Sequence, residues 1–163
     1  EYIQAVNDLK KHIQQGDIYE INYCTEFYAE NAIIKPIEVF NKLNALSKAP
    51  FAAYCKLNNH YIICSSPERY IKKSGNRLIS QPIKGTIKRS DDKHEDEALK
   101  QQLQTSAKEQ SENIMIVDLV RNDLSRIAKQ GSVHVDELAK LYSFKQVHQL
   151  ISTISCELKQ RIM

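Results

Sequence analysis

The sequence predicts an α+β fold on two observations. Helical and strand periodicities both occur, but they group into hairpins and helix pairs rather than the strict strand–helix alternation of a doubly wound sheet. The 163 residues are 42% hydrophobic, enough for one sizeable core. Glycine and proline number only four each, which excludes collagen-like and low-complexity classes.

Residues 2–15 carry Ile3, Val6, Leu9 and Ile13 at helical spacing, and Gly16-Asp17 stops the helix. Ile18–Tyr28 is rich in β-formers and partly alternating, which predicts a strand. Pro36 starts a second helix, with apolar residues at 37, 39, 40, 43 and 46. After Pro50, residues 51–57 and 60–65 predict a hairpin around Asn58-Asn59. Tyr70–Lys73 and Arg77–Ile83 predict another around Ser74-Gly75-Asn76. Ser90, Asp91 and Asp92 suit the start of a polar helix with a narrow apolar stripe through Ala98, Leu99, Leu103 and Ala107. Residues 112–128 are more apolar and read as a buried helix ended by Gly131. There Asp118, Arg121, Asn122 and Asp123 are expected to pair in an internal network. Ser132–Asp136 predicts a short strand and Phe144–Leu158 a long one.

The net charge is +3, from 23 basic and 20 acidic residues, with no dominant basic tract. Nucleic acid is therefore not an expected partner. No apolar run approaches the roughly 20 residues of a membrane helix, so no membrane partner is expected either. Cys24, Cys55, Cys64 and Cys156 match no zinc spacing and read as reduced thiols, which favours a cytoplasmic location. There is no initiator Met and no leader-like start, so the chain is expected to begin inside a longer protein.

Several residues suit chemistry. Lys84 lies in Pro82-Ile83-Lys84-Gly85-Thr86, where glycine permits close backbone approach to a ligand, and a lysine drawn from water can act as nucleophile or base. Glu68, at the end of an apolar strand, suits a general acid. Glu109 and Glu112 are three apart on a predicted helix and suit a hard cation such as Mg²⁺. His148 lies in the last strand. Each also has a plainer reading: an exposed strand-end lysine, a surface ion pair, a solvated helix face, a structural histidine.

Together, these residues sit in blocks that resemble the chorismate-utilising enzymes, including component I of aminodeoxychorismate and anthranilate synthases and the isochorismate and salicylate synthases. The blocks are GDIYEINYCTEF at 16–27, APFAAYCKL at 49–57, SSPERY at 65–70, PIKGTIKR at 82–89, ENIMIVDLVRNDLSRIAKQGSVHV at 112–135 and VHQLISTI at 147–154. Lys84, where anthranilate synthases usually carry Ala, and Glu112-Asn113, where they more often carry Glu-His, resemble the aminodeoxychorismate type. Glu20 stands where relatives often have Gln, or Lys in the water-adding branch, so isochorismate chemistry is not expected.

The resemblance implies a four-layer α/β/β/α fold. This chain would be about the first three-fifths of one chorismate-binding catalytic domain, its C-terminal remainder missing. It implies that Lys84 attacks chorismate as a neutral amine while Glu68 protonates the departing hydroxyl, and that ammonia then displaces the lysine to give 4-amino-4-deoxychorismate. Gly85 and Thr86 match substrate-binding pocket positions, His148 matches the family's pocket histidine and is expected to be catalytic, and Glu112 and Glu109 match Mg²⁺-ligand positions. A glutamine amidotransferase subunit would supply the ammonia. The fragment alone is expected to be inactive. Anthranilate synthase component I is the alternative activity, and a non-catalytic binding module or decayed copy that ends near Met163 is the contrasting expectation.

Overall fold

The structure, a computed structural model, describes residues 1–159, which fall into two compact units. The first, Glu1–Ile34, holds α1 (Tyr2–Gln15). Gly16 closes this helix at φ 81, its N–H donating to the carbonyls of His12 and Ile13. A left-handed cap of this kind favours glycine. Ile18–Tyr28 follows without forming a strand. β-forming composition supplies suitable side chains, but a strand exists only where a neighbour takes up its backbone hydrogen bonds. Within this unit the rings of Tyr2 and Tyr23 lie 5.3 Å apart.

The second unit begins at Lys35 with α2 (Pro36–Ser47), whose proline occupies the first turn, where no N–H is needed. α2 packs on a two-stranded antiparallel sheet of β1 (Phe51–Leu57) and β2 (His60–Ser66). Asn58 turns this hairpin at φ 54. The larger sheet is built around β7 (Val147–Glu157). β6 (His134–Ser143) runs antiparallel along one side of β7. On the other side lie β4 (Arg77–Gln81) and then β5 (Ile83–Lys88), with β3 (Arg69–Ser74) outside β4.

The predicted run from Arg77 to Ile83 is thus divided at Pro82. Proline has no N–H for the ladder, yet its carbonyl still accepts from the Ser152 N–H at 3.1 Å, so β4 and β5 follow the same edge of β7. The long C-terminal strand starts later than Phe144. Phe144 turns the chain from β6, its N–H bonded to the Val147 carbonyl at 2.8 Å, and β6 itself is longer than the short strand expected.

Two helices cover one face of this sheet, α3 (Lys93–Thr105) and α4 (Ala107–Ile127). Asp92 caps α3 by accepting the Glu95 N–H at 2.8 Å. Ser106 separates the helices and caps α4. α4 therefore starts before Glu112 and places Glu109 and Glu112 on one helix. Leu78, Val117, Leu124, Ala128, Ile154 and Cys156 form the buried cluster under α4, and burying each large aliphatic here contributes about 1.5–3 kcal/mol.

The network expected at Asp118, Arg121, Asn122 and Asp123 is not internal. All four are exposed, and Arg121 pairs with Asp118 across one turn at 2.8 Å. The 3.6-residue period turns these positions outward while Val117, Val120 and Leu124 turn inward. The mixture of helices and antiparallel strands is the expected α+β class. No described helix is long and apolar enough to cross a membrane.

Candidate active site

The site forms where β5 departs from regular pairing. Ile83 is opposite Ile151 and Thr86 opposite Gln149, so the segment between them carries an extra residue. This bulge holds Lys84 and Gly85. Gly85 adopts φ 91, and a Cβ there would lie 3.2 Å from Glu109 Cβ and 3.3 Å from Leu103 Cδ1. Both the dihedral and the close helix demand glycine. The Lys84 side chain is half-buried.

Three further groups converge on the bulge. Glu68, in the connection from β2 to β3, accepts the Ile83 N–H on Oε1 at 3.0 Å. The SSPER block thereby lies beside PIKGT, and the Ser66 hydroxyl fixes its turn by accepting the Glu68 N–H at 3.1 Å. Glu109 presses on Gly85 from α4. Asn113, one turn further and 1% exposed, donates to the carbonyls of Lys84 at 3.4 Å and Leu150 at 3.3 Å and accepts the Ser152 hydroxyl proton.

The donor set for a hard cation is partial. Glu109 and Glu112 both turn toward the Lys108 ammonium, at 3.8 and 3.7 Å, so the two carboxylates already bracket one positive centre. They fit as two oxygen ligands of Mg²⁺, which keeps several waters or substrate oxygens in its shell. Among the described residues no group of three or more His, Cys, Asp or Glu converges as a complete metal cluster.

His148 occupies a different setting from Thr86. Its register partners are Ile87 and Ser143, and its ring turns to the helix side of β7. There it is fully enclosed, Nδ1 bonded to Ser143 Oγ at 2.8 Å and Nε2 to Asp96 Oδ1 at 2.9 Å. Asp96 also receives Arg89 Nη2 at 2.8 Å and the Ser90 N–H at 3.1 Å. The Arg89 hydrogen bonds hold its carboxyl well below the usual carboxylate range, the Ser90 and His148 bonds acting the same way against the opposing effect of burial.

The residue facing Thr86 is Gln149, which the sequence reading did not single out. Its Nε2 donates to Thr86 Oγ1 at 3.2 Å, and its buried Oε1 has no hydrogen-bond partner among the described residues. The signal was present in the alternation of β7, since positions 149 and 151 share the face of Thr86 and Ile83 whereas 148 does not. Glu20 belongs to the first unit.

The structure therefore brings Glu68 and Glu109 against the Ile83–Gly85 segment that holds Lys84, with Glu112 one turn along α4, while Thr86 lies with Gln149 on the sheet face turned away from the helices. The chain is similar to several known proteins. A probable chloroplastic aminodeoxychorismate synthase of Oryza sativa subsp. japonica is 41% identical over 157 residues, which are 94% of this chain and 18% of that protein. Aminodeoxychorismate synthase component 1 of Escherichia coli (strain K12) is 37% identical over 162 residues, 99% of this chain and 36% of that protein. The chain thus spans about a third of the bacterial relative and less than a fifth of the plant one. The crystal structure of anthranilate synthase component I from Streptococcus pneumoniae TIGR4 superposes with a TM-score of 0.70 at 26% identity, covering 81% of this chain and 28% of that one. The match to the chorismate binding enzyme family runs over residues 1–163, and the chain belongs to that family.

Proposed function

We propose that this chain is part of an aminodeoxychorismate synthase component I, which converts chorismate and ammonia to 4-amino-4-deoxychorismate. The single observation that carries the reading is the bulge at Lys84-Gly85. It holds the half-buried Lys84 directly after Ile83, whose N–H donates to the Glu68 carboxylate at 3.0 Å. The 41% identity to an aminodeoxychorismate synthase, against 37% to the anthranilate synthase component 1 of Bacillus subtilis (strain 168), supports the same choice.

In this reading the neutral Lys84 amine forms a bond to carbon 2 of chorismate. Both ring double bonds shift, and the carbon 4 hydroxyl departs as water with a proton from Glu68. Ammonia then bonds to carbon 4, both double bonds shift back, and the Lys84 nitrogen leaves. The sum is chorismate plus ammonia to aminodeoxychorismate plus water. Thr86 and Gly85 line the substrate, and Gln149 orients the Thr86 hydroxyl. Glu109 and Glu112 would hold Mg²⁺, which when bound offsets the charge of the substrate carboxylate. His148 organises β7 and α3 through Asp96. A partner glutamine amidotransferase supplies the ammonia. The free thiols among the described residues fit a cytoplasmic enzyme.

The test is product analysis. The full-length protein is incubated with chorismate, ammonia and Mg²⁺, and the products are separated by chromatography and identified by mass. Aminodeoxychorismate supports the reading; anthranilate, isochorismate or unchanged chorismate contradicts it.

A further inference from the structure

We propose that Asn113 is a positioning residue for Lys84; this rests on the reading that Lys84 is the nucleophile. The bulge between Ile83 and Thr86 interrupts the ladder between β5 and β7. The carbonyls of Lys84 and Leu150 both lie in that interruption, one on each strand. A buried carbonyl left without a donor costs about 1–3 kcal/mol. The Asn113 amide supplies donors to both from α4.

The third contact of Asn113 fixes which way the amide faces. Its Oδ1 accepts from Ser152, and the Ser152 Oγ accepts the N–H of Ala139 at 2.8 Å. Ala139 holds φ 43, a left-handed conformation that a non-glycine residue adopts only under constraint, at a second register shift, between Glu137 and Lys140 of β6. Asn113 thus joins the irregular points of two strands on either side of β7. With Oδ1 committed to Ser152, both Nδ2 hydrogens face the interrupted ladder.

Only a side chain with two donors and one acceptor on a short stem makes all three contacts. Aspartate offers no donor, leucine has neither, and serine has one donor. The backbone of Lys84 is therefore held from a helix that also carries Glu109 and Glu112. A shift of the nucleophile by about 1 Å costs roughly 10²-fold in rate.

The experiment uses the full-length protein with Asn113→Leu, which is larger and removes all three hydrogen bonds, and Asn113→Ser, which is smaller and retains one donor. Melting temperature, kcat and the KM for chorismate are measured. The rate at which acetic anhydride acetylates Lys84 at fixed pH is followed by peptide mass spectrometry, with exposed Lys129 as internal reference. The expected result is a kcat lowered about 10- to 100-fold in Asn113→Leu and less in Asn113→Ser, with KM changed by less than about threefold. The acetylation rate of Lys84 changes and that of Lys129 does not. Folded variants with kcat within about twofold of the parent and unchanged Lys84 acetylation would overturn the proposal while leaving the reaction assignment intact. If the parent makes no aminodeoxychorismate, the reaction assignment fails, and Lys84 acetylation still decides the role of Asn113.

Discussion

The two ends of α4 do different work against the same strand. Its C-terminal part lays Val117 and Leu124 on Leu78, Ile154 and Cys156, an apolar contact with no polar partner to align. Its N-terminal part meets β5 and β7 through Glu109 and Asn113, by one tight approach to a glycine and three hydrogen bonds. Apolar packing is non-directional and tolerates small shifts, whereas the polar end holds only in one geometry. The helix is therefore anchored by its apolar end and uses that rigidity to set the bulge at the other. Substitutions at the apolar end should be read in stability, and those at the polar end in turnover.

The sharpest way to break this division is at the site itself. Lys84→Ala in the full-length protein is expected to lower kcat by about 10³-fold or more and leave melting nearly unchanged; the check is steady-state turnover beside a thermal scan. Glu68→Gln follows, with a loss of roughly 10²–10⁴-fold as the leaving hydroxyl loses its acid, measured in the same assay. Ile154→Ala tests the other end. This fully buried residue should cost about 2–5 kcal/mol in denaturant unfolding, with kcat per folded molecule within about twofold of the parent. A large kcat loss in folded Ile154→Ala would show that the two ends are not separable.

Acid pH sharpens the comparison on α3. Arg89 depresses the Asp96 carboxyl below its ordinary value of 3.8. The unfolded chain binds that proton before the folded one does. The stability this group adds is complete above the ordinary carboxylate range and disappears as pH falls through that range toward its lowered folded value. Melting temperatures followed from about pH 6 down to pH 2 should fall less steeply in Asp96→Asn than in the parent. The smallest effect is expected at Arg121→Ala, whose exposed ion pair with Asp118 contributes about 0–1 kcal/mol.

Much of this was legible in the sequence because local rules and the fold agreed. Gly16, Pro36, Asp92 and the Asn58 turn all mark boundaries that the backbone observes. PIKGT pointed to a close approach at residue 85, and the neighbours found there are Glu109 and Leu103, while the bulge itself shows only in the register. What failed needed partners that a linear pattern does not contain. Ile18–Tyr28 has the residues of a strand and forms no strand ladder among the described residues. The apolar run around Asp118 suggested burial on all sides, but one face of α4 is exposed. His148 and Gln149 are neighbours in sequence and lie on opposite faces of β7, so placing either needs the register, which is set by β5 and β6. Glu109 and Glu112 were paired correctly by helical spacing, while the contact of Glu109 with Gly85 depends on tertiary packing.

One measurement bears most directly on the assignment of Lys84. The full-length protein is mixed with chorismate without ammonia, quenched, digested and examined by peptide mass spectrometry. The account predicts an adduct of chorismate less one water on the peptide holding Lys84, absent in Lys84→Ala and discharged when ammonia is added before the quench. Turnover to aminodeoxychorismate with no adduct on that peptide, together with an active Lys84→Ala variant, would contradict it.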